Sequence, residues 1–375
     1  MSALHVAVIG GGVCGLGIGW KLSKGGARVT IYERDEPSHG ATWASAGMLA
    51  PQMELRPEEE GITHFGRENV RRWSRFAREV EEDSDISVDY RDEGTLFVAL
   101  DRDGAEQLRF LHIHQKEVGL PVQWLSSYEA REREPHLSGR LVAALYSPEE
   151  RQVDPRALGR ALVEAFTQAG GVIRSHSPVE RILVEDRRVR GVRVKGEDVT
   201  SDAVLLSAGA WSGMVEGLPE ELKPPVRPVK GQMVALEQPD PPLLRHSVWA
   251  MDATRFVYLA PKSNGRLLVG ATVEEVGFDT RVTAGGVLDL LRPAWEALPA
   301  IYDLPIVETW AGLRPGSRDN APILGKTPIE GLYMATGHYR NGILFAPATA
   351  EDVAHLILTG ETPETIRPFG LGRFL

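Results

Sequence analysis

The sequence predicts an α/β fold in which a parallel sheet covered by helices is interleaved with an antiparallel sheet. Three observations carry this prediction. Residues 6–33, VAVIGGGVCGLGIGWKLSKGGARVTIYE, read as strand, glycine turn, helix and second strand. Apolar runs that end in glycine recur at 203–209 and 331–337, and helical stretches accompany them. Between these regions, 89–146 and 224–313 are dominated by short strands and turns, the pattern of an antiparallel sheet.

The opening unit is the most specific. Val6 to Ile9 form a short apolar run, residues 16–24 an amphipathic helix stopped by Gly25 and Gly26, and Val29 to Tyr32 a second run ending in Glu33. At this spacing Gly10 permits a sharp turn, Gly12 lets a pyrophosphate approach the backbone, and Gly15 lets helix pack on strand. The helix N-terminus offers unpaired N–H groups and partial positive charge to phosphates. Glu33 is placed to accept from a ribose hydroxyl. This is a Rossmann-type dinucleotide-binding unit.

Further along, residues 41–51 are small, nearly uncharged and contain Gly47. They fit either a segment held against a large flat ligand or a short buried helix start with Ser45 as a local cap. Residues 63–82 read as a helix with Val70, Trp73, Phe76, Ala77 and Val80 on one face. Arg67, Arg71, Arg72, Arg75 and Arg78 on it are expected to form a solvated face paired with Glu68, Glu79, Glu81 and Glu82. Strands are expected at 94–99 and 141–146, with helices at 104–118 and 127–134. Asp154 and Pro155 have the form of an N-cap and first position for a helix running to Ala169. A short strand at 172–174, a hairpin over 179–194 and a buried strand at 203–206 follow. Strands at 229–236, 247–251, 256–260 and 266–270, a helix at 284–298 and a final helix at 347–358 complete the chain.

Composition bounds the partners. The 375 residues carry a net charge of −10, which opposes nucleic-acid phosphates. Cys14 is the only cysteine, so no intrachain disulfide exists and a reducing, cytoplasmic location is expected. Inside the glycine turn it reads as a small packing residue. The N-terminal apolar run is broken by glycines and lacks a basic region, unlike a signal peptide, and no stretch is long enough to span a membrane. His112 and His114 lie two apart on a helix, a poor metal pair, and no metal site is expected.

Four glycine-containing loops flank apolar strands: Gly10 to Gly15, Ala46-Gly47, Ala208-Gly209 and Gly337 to Gly342. One ordinary dinucleotide fold needs one such loop. Several suggest a longer cofactor touched along its length, which favours FAD over NAD.

The motifs VIGGGVCG, ATWASAGMLAPQ, LLSAGAWSGM, VKGQM, GRLLVGAT, WAGLRPGSRDNAPILG and GHYRNGILFAPATA run through nearly the whole chain. In them the sequence resembles the FAD-dependent D-amino-acid oxidase family, and within it the glycine oxidases of thiamine biosynthesis. The resemblance implies a glutathione-reductase-like FAD-binding domain at 1–88, 147–222 and 314–375, with a substrate-binding domain at 89–146 and 223–313. It implies FAD contacts at Val13, Cys14, Glu33, Arg34, Ala41, Thr42, Ala46, Gly47, Met48 and Val179. His338, Tyr339, Arg340, Asn341, Gly342, Ile343 and Leu344 would wrap the pyrimidine end of the flavin. Arg314 and Arg340 would grip a substrate carboxylate, Tyr258 would be the active-site tyrosine, and no general base is assigned. The guanidinium suits the first role, because it presents a planar, two-pronged donor edge.

The implied reaction is hydride transfer from the Cα of glycine, sarcosine or a small D-amino acid to flavin N5, with O2 reoxidising the flavin to give H2O2. A D-amino-acid dehydrogenase that uses another electron carrier, and a flavin-binding protein without turnover, remain the alternatives. Val273 stands where some glycine oxidases have methionine, and the segment PQMELRPEEE at 51–60 has its own sequence, so both bear on substrate range. Related sarcosine oxidases attach flavin through a late cysteine. With only Cys14 present, FAD is expected to be noncovalent. The family also implies a homo-oligomer.

Overall fold

The computed structural model describes residues 3–51, 60–251 and 256–375. Most of the segment 51–60 noted above therefore lies outside the described residues. Two large sheets organise the rest.

The first sheet has six strands in the order Ile323–Lys326, Leu332–Thr336, Ala203–Leu206, His5–Ile9, Arg28–Tyr32 and Val172–Arg174. All neighbours are parallel except the first pair. Its central strands are unbroken apolar runs because both faces are covered. Val6, Val8 and Leu205 face helices Val13–Lys24, Glu60–Ser84, Pro155–Gln168 and Ala346–Thr359. Ala7, Ile9, Val204 and Leu206 face a three-stranded meander, Val179–Glu185, Arg188–Val194 and Glu197–Thr200. The hairpin expected at 179–194 thus gains a third strand. GEDVT is too polar to announce one, but it lies at the meander's edge, where one side is solvated.

The glycines of helix Val13–Lys24 are a packing device. A Cβ on Gly17 would press on Ala350 at 3.1 Å, and one on Gly19 on Phe166 at the same distance. Helix propensity is given up so that two other helices can approach closely. Caps fall where the sequence predicts. Asp154 Oδ1 accepts the N–H groups of Arg156 and Ala157 at 2.8 and 3.1 Å, opening helix Pro155–Gln168. On helix Glu60–Ser84, Arg72 and Arg75 pair with Glu68 and Glu79, and also reach Glu351 on the last helix. These arginines thus tie two helices together as well as coating a solvated face.

The second sheet has eight strands in the order Ile306–Gly316, Arg227–Glu237, Arg266–Gly270, Phe256–Pro261, Ser247–Met251, Thr95–Ala99, Ala143–Ser147 and Gln123–Ser126. It is antiparallel apart from the pairing of Ser247–Met251 with Thr95–Ala99. Alternation sorts its side chains. Val248, Val257, Leu259 and Val234 face helix Ala284–Ala297, while Phe97, Trp249, Tyr258 and Met233 face the other way. That second face looks toward the carboxyl ends of the parallel strands.

Candidate active site

A cavity of about 490 Å³ runs between the two sheets. One end is built from the turns that leave the parallel strands: Gly10 after His5–Ile9, Glu33 after Arg28–Tyr32, Ala208 after Ala203–Leu206, and His338 after Leu332–Thr336. Ligands of open parallel sheets bind at such carboxyl ends. The other end is walled by strands of the antiparallel sheet.

At the first end, Gly10 has φ +102°, and a Cβ there would lie 2.5 Å from the carbonyl oxygen of Ser207. Only glycine fits. Gly12 caps the helix with no side-chain bond, and no acidic residue stands in the first turn. Apart from the Val13 N–H, which Thr42 Oγ1 accepts, no side chain caps this terminus, and it suits an anion. Gly15 does not line the cavity. A Cβ there would collide with the Gly10 carbonyl, so its role is the close packing that the spacing implies. The Glu33 carboxylate is fixed by the N–H groups of Gly11 at 2.7 Å and Asp35 at 3.0 Å, and it faces the cavity as an acceptor. Arg34 lies across the Trp211 ring at 3.7 Å.

The segment at 41–48 opens as a short helix and then runs along the cavity wall. Ala41–Ala44 is a short helix, and Ser45 Oγ donates to the Thr42 carbonyl at 2.8 Å. Ala41, Thr42, Ala46, Gly47 and Met48 line the cavity, with Thr42 Oγ1 accepting the Val13 N–H at 3.0 Å. What holds this segment was not legible in the sequence. Arg156 stacks on Trp43 at 3.6 Å and pairs with Glu308 at 2.9 Å, while Trp310 Nε1 donates to the Ala44 carbonyl at 3.0 Å.

Val13, Cys14, Val179, Ala208, Gly209 and His338 to Ile343 also line the cavity, whereas Leu344 is buried behind it. The Leu344 carbonyl accepts Trp73 Nε1 at 2.9 Å, anchoring the loop. Cys14 Sγ lies 3.6 Å from His338 Nε2, which also faces Thr349 Oγ1 at 3.1 Å. Burial pushes the Cys14 thiol up to about 12 and His338 down to about 4, so both are neutral near pH 7. That suits a packing cysteine. Among the described residues no group of three or more potential metal ligands comes together.

At the second end lie Arg314 and Tyr258, with Arg340 on the loop above. Arg314 belongs to strand Ile306–Gly316, paired with Val229, and its side chain crosses the backbone of Gly231. Its Nη1 donates to the carbonyls of Lys230 and Thr272 at 3.2 and 3.1 Å. Among the described residues it makes no ion pair, so Nε and Nη2 are left as an adjacent donor pair. Tyr258 contacts Met233 Sδ at 3.1 Å and Trp249 with rings 5.2 Å apart. Met233, Trp249 and Phe256 complete an apolar wall that the sequence did not reveal, because single apolar residues in strands look like core.

An anion-binding helix end, a fixed acceptor 18 residues after Gly15 and a guanidinium facing an apolar far end fit an elongated dinucleotide with space for a carboxylate beside it. The comparisons agree on the class. The family model "FAD dependent oxidoreductase" (DAO) matches residues 5–356, and the chain belongs to that family, with FAD as its cofactor. It is an FAD-dependent amino-acid oxidase by class. The chain is 36% identical over 372 residues to the glycine oxidase of Geobacillus kaustophilus (strain HTA426), covering 99% of this chain and 97% of that protein. It is 32% identical over 374 residues to the bifunctional protein ThiO/ThiG of Trichormus variabilis, covering 98% of this chain and 55% of that longer protein. The crystal structure of glycine oxidase from Geobacillus kaustophilus matches with a TM-score of 0.91 at 35% identity, covering 98% of this chain and 99% of that one. No helix among the described residues is long and apolar enough to cross a membrane.

Proposed function

We propose that this enzyme oxidatively deaminates glycine and related small amines, such as sarcosine and small D-amino acids, and that it serves thiamine biosynthesis. The observation that carries the proposal is Arg314, a partly buried cation tied to two carbonyls and to no carboxylate among the described residues, in the cavity wall beside Tyr258. Similarity to glycine oxidases and to ThiO/ThiG proteins supports the substrate class and the pathway.

When bound, FAD would supply two-electron redox chemistry, with substrate Cα as hydride donor and O2 as final oxidant, reduced to H2O2. The residues of the chain bind and orient. Gly10, Gly12 and the helix terminus behind them would hold the pyrophosphate, and Glu33 would accept from the ribose. The segment at 41–48 and the loop from His338 to Ile343 flank the ring system. Val13, Cys14, Arg34, Val179, Ala208 and Gly209 supply the remaining contacts, all noncovalent. The FAD-binding part comprises 1–88, 148–222 and 317–375, and the substrate-binding part 89–147 and 223–316; the boundaries expected after 146 and 313 shift because strands Ala143–Ser147 and Ile306–Gly316 belong whole to the second sheet.

Arg314 and Arg340 hold the substrate carboxylate, and Tyr258 adds a hydroxyl at the pocket wall. The substrate amine reacts neutral, and no residue acts as general base. Rate then comes mainly from holding Cα at near-contact distance from its hydride acceptor. Met233, Trp249 and Phe256 line that place with apolar surface.

The test is anaerobic addition of glycine to the purified holoenzyme, following the visible flavin band. Bleaching that air reverses with formation of H2O2 supports the proposal. Bleaching without rapid reoxidation replaces it with a dehydrogenase. No bleaching with glycine, sarcosine or D-alanine removes both.

A further inference from the structure

We propose that Glu274 is a positioning residue that fixes the guanidinium of Arg314, resting on the assignment of Arg314 to the substrate carboxylate. After strand Arg266–Gly270 the chain continues in the same direction, antiparallel to strand Arg227–Glu237. Lys230 and Glu274 exchange both backbone hydrogen bonds, Lys230 N–H to the Glu274 carbonyl at 2.9 Å and the reverse at 3.0 Å. The Gln232 N–H donates to Thr272 Oγ1 at 2.8 Å.

The Glu274 carboxylate closes this junction. One oxygen accepts from Gln232 Nε2 at 2.8 Å and from Thr272 Oγ1 at 2.5 Å. The other faces Lys230 Nζ at 3.2 Å. Lys230 is 2% exposed, and Glu274 is its carboxylate partner among the described residues. A buried ammonium needs that charge, because an unpaired one is costly in a low-dielectric interior. Gln232 is in turn held by Thr283, whose N–H donates to Gln232 Oε1 at 2.8 Å.

The two carbonyls that hold Arg314 Nη1 belong to Lys230 and Thr272, the residues that the Glu274 side chain draws together. The Lys230 carbonyl accepts from both Glu274 N–H and Arg314 Nη1. With Nη1 fixed, the plane of the guanidinium is set and its Nε–Nη2 edge is presented in one orientation. Bidentate carboxylate binding depends on that orientation. Val273, between Thr272 and Glu274, lines the cavity, so the junction borders the pocket directly.

The experiment titrates acetate, a carboxylate without an amine, into the oxidised holoenzyme and reads the flavin absorption difference. Glu274→Gln keeps the shape and removes the charge. It is expected to weaken acetate about tenfold or more and to raise the KM for glycine by a similar factor, with kcat at saturation changed about threefold or less. A merely structural role would lower Tm without this split. Lys230→Met/Glu274→Gln removes the buried charge as well. It is expected to regain stability and to keep the acetate defect, which makes it the readout if the single variant does not fold. Acetate affinity within about twofold of wild type in whichever variant folds overturns the proposal, provided Arg314→Ala weakens acetate. If Arg314→Ala also leaves acetate unchanged, the assignment of Arg314 itself fails.

Discussion

Gly231→Ala tests the substrate end most sharply. Gly231 lies inside strand Arg227–Glu237 with ordinary strand backbone, so alanine is sterically allowed by the main chain. With nothing above it, the change would be neutral or stabilising by about 0.5–1 kcal/mol. The added Cβ would instead lie 2.6 Å from Arg314 Cζ and collide with both Nη atoms. Carbon atoms pack at about 3.5–4.0 Å, so the guanidinium must move by roughly 1 Å. The backbone stays and the tip of a flexible side chain yields. The protein therefore folds and binds FAD, but Arg314 leaves the Lys230 and Thr272 carbonyls and loses its two-pronged alignment. Each charge-assisted bond contributes about 1.5–3 kcal/mol. Two at the lower end, about 3 kcal/mol, correspond to a loss on the order of a hundredfold in carboxylate affinity. The assay is the acetate titration together with the KM for glycine, with bound FAD and Tm as controls. A folded, FAD-replete Gly231→Ala enzyme with acetate affinity within about threefold of wild type would refute the reasoning.

Other outcomes follow from the same geometry. Gly10→Ala meets both a φ of +102° and the Ser207 carbonyl, so the protein should purify without FAD; a yellow, stoichiometric holoprotein would contradict this. Trp73→Phe removes the bond to the Leu344 carbonyl and part of a fully buried ring, and should cost about 2 kcal/mol in urea unfolding. A change below about 0.5 kcal/mol would show that the loop is held by other means. Burial lowers His338 from 6.5 to about 4, so between those values the unfolded chain binds a proton that the folded chain refuses. Stability thus falls as pH drops through that window, by up to about 3 kcal/mol from this residue, and is unaffected by it above pH 7. His338→Asn should flatten the slope of unfolding free energy between pH 6.5 and 4, and an unchanged slope excludes the assignment.

The dinucleotide end was legible because its chemistry is local: three glycines, a helix start and an acid at fixed spacing are determined within thirty residues or so. Caps such as Asp154-Pro155 were legible for the same reason. Strand Ile306–Gly316 was visible only as a motif, since Gly312 and Pro315 interrupt its pattern. Its length comes from ten residue pairs, with one bulge, to strand Arg227–Glu237, a partner far away in sequence. The neighbours of Arg314 were hidden likewise. The residues that hold it, Lys230 and Thr272, join through backbone carbonyls, and carbonyl placement leaves no mark on residue type. Trp249 and Phe256 were hidden because alternation in a strand shows which residues share a face and not what that face meets.

The helix behind the glycine turn packs along the helix at Ala346–Thr359, and the central strand His5–Ile9 pairs with Ala203–Leu206. The glycine loop is thus synthesised well before the elements that complete it. Its partner strand at Ala203–Leu206 is made about 200 residues after it, and the helix against its back about 340 residues after it. Cofactor loading consequently waits on residues as far along as the helix Ala346–Thr359. A supply of free FAD then acts on folding yield as a ligand that selects the finished form.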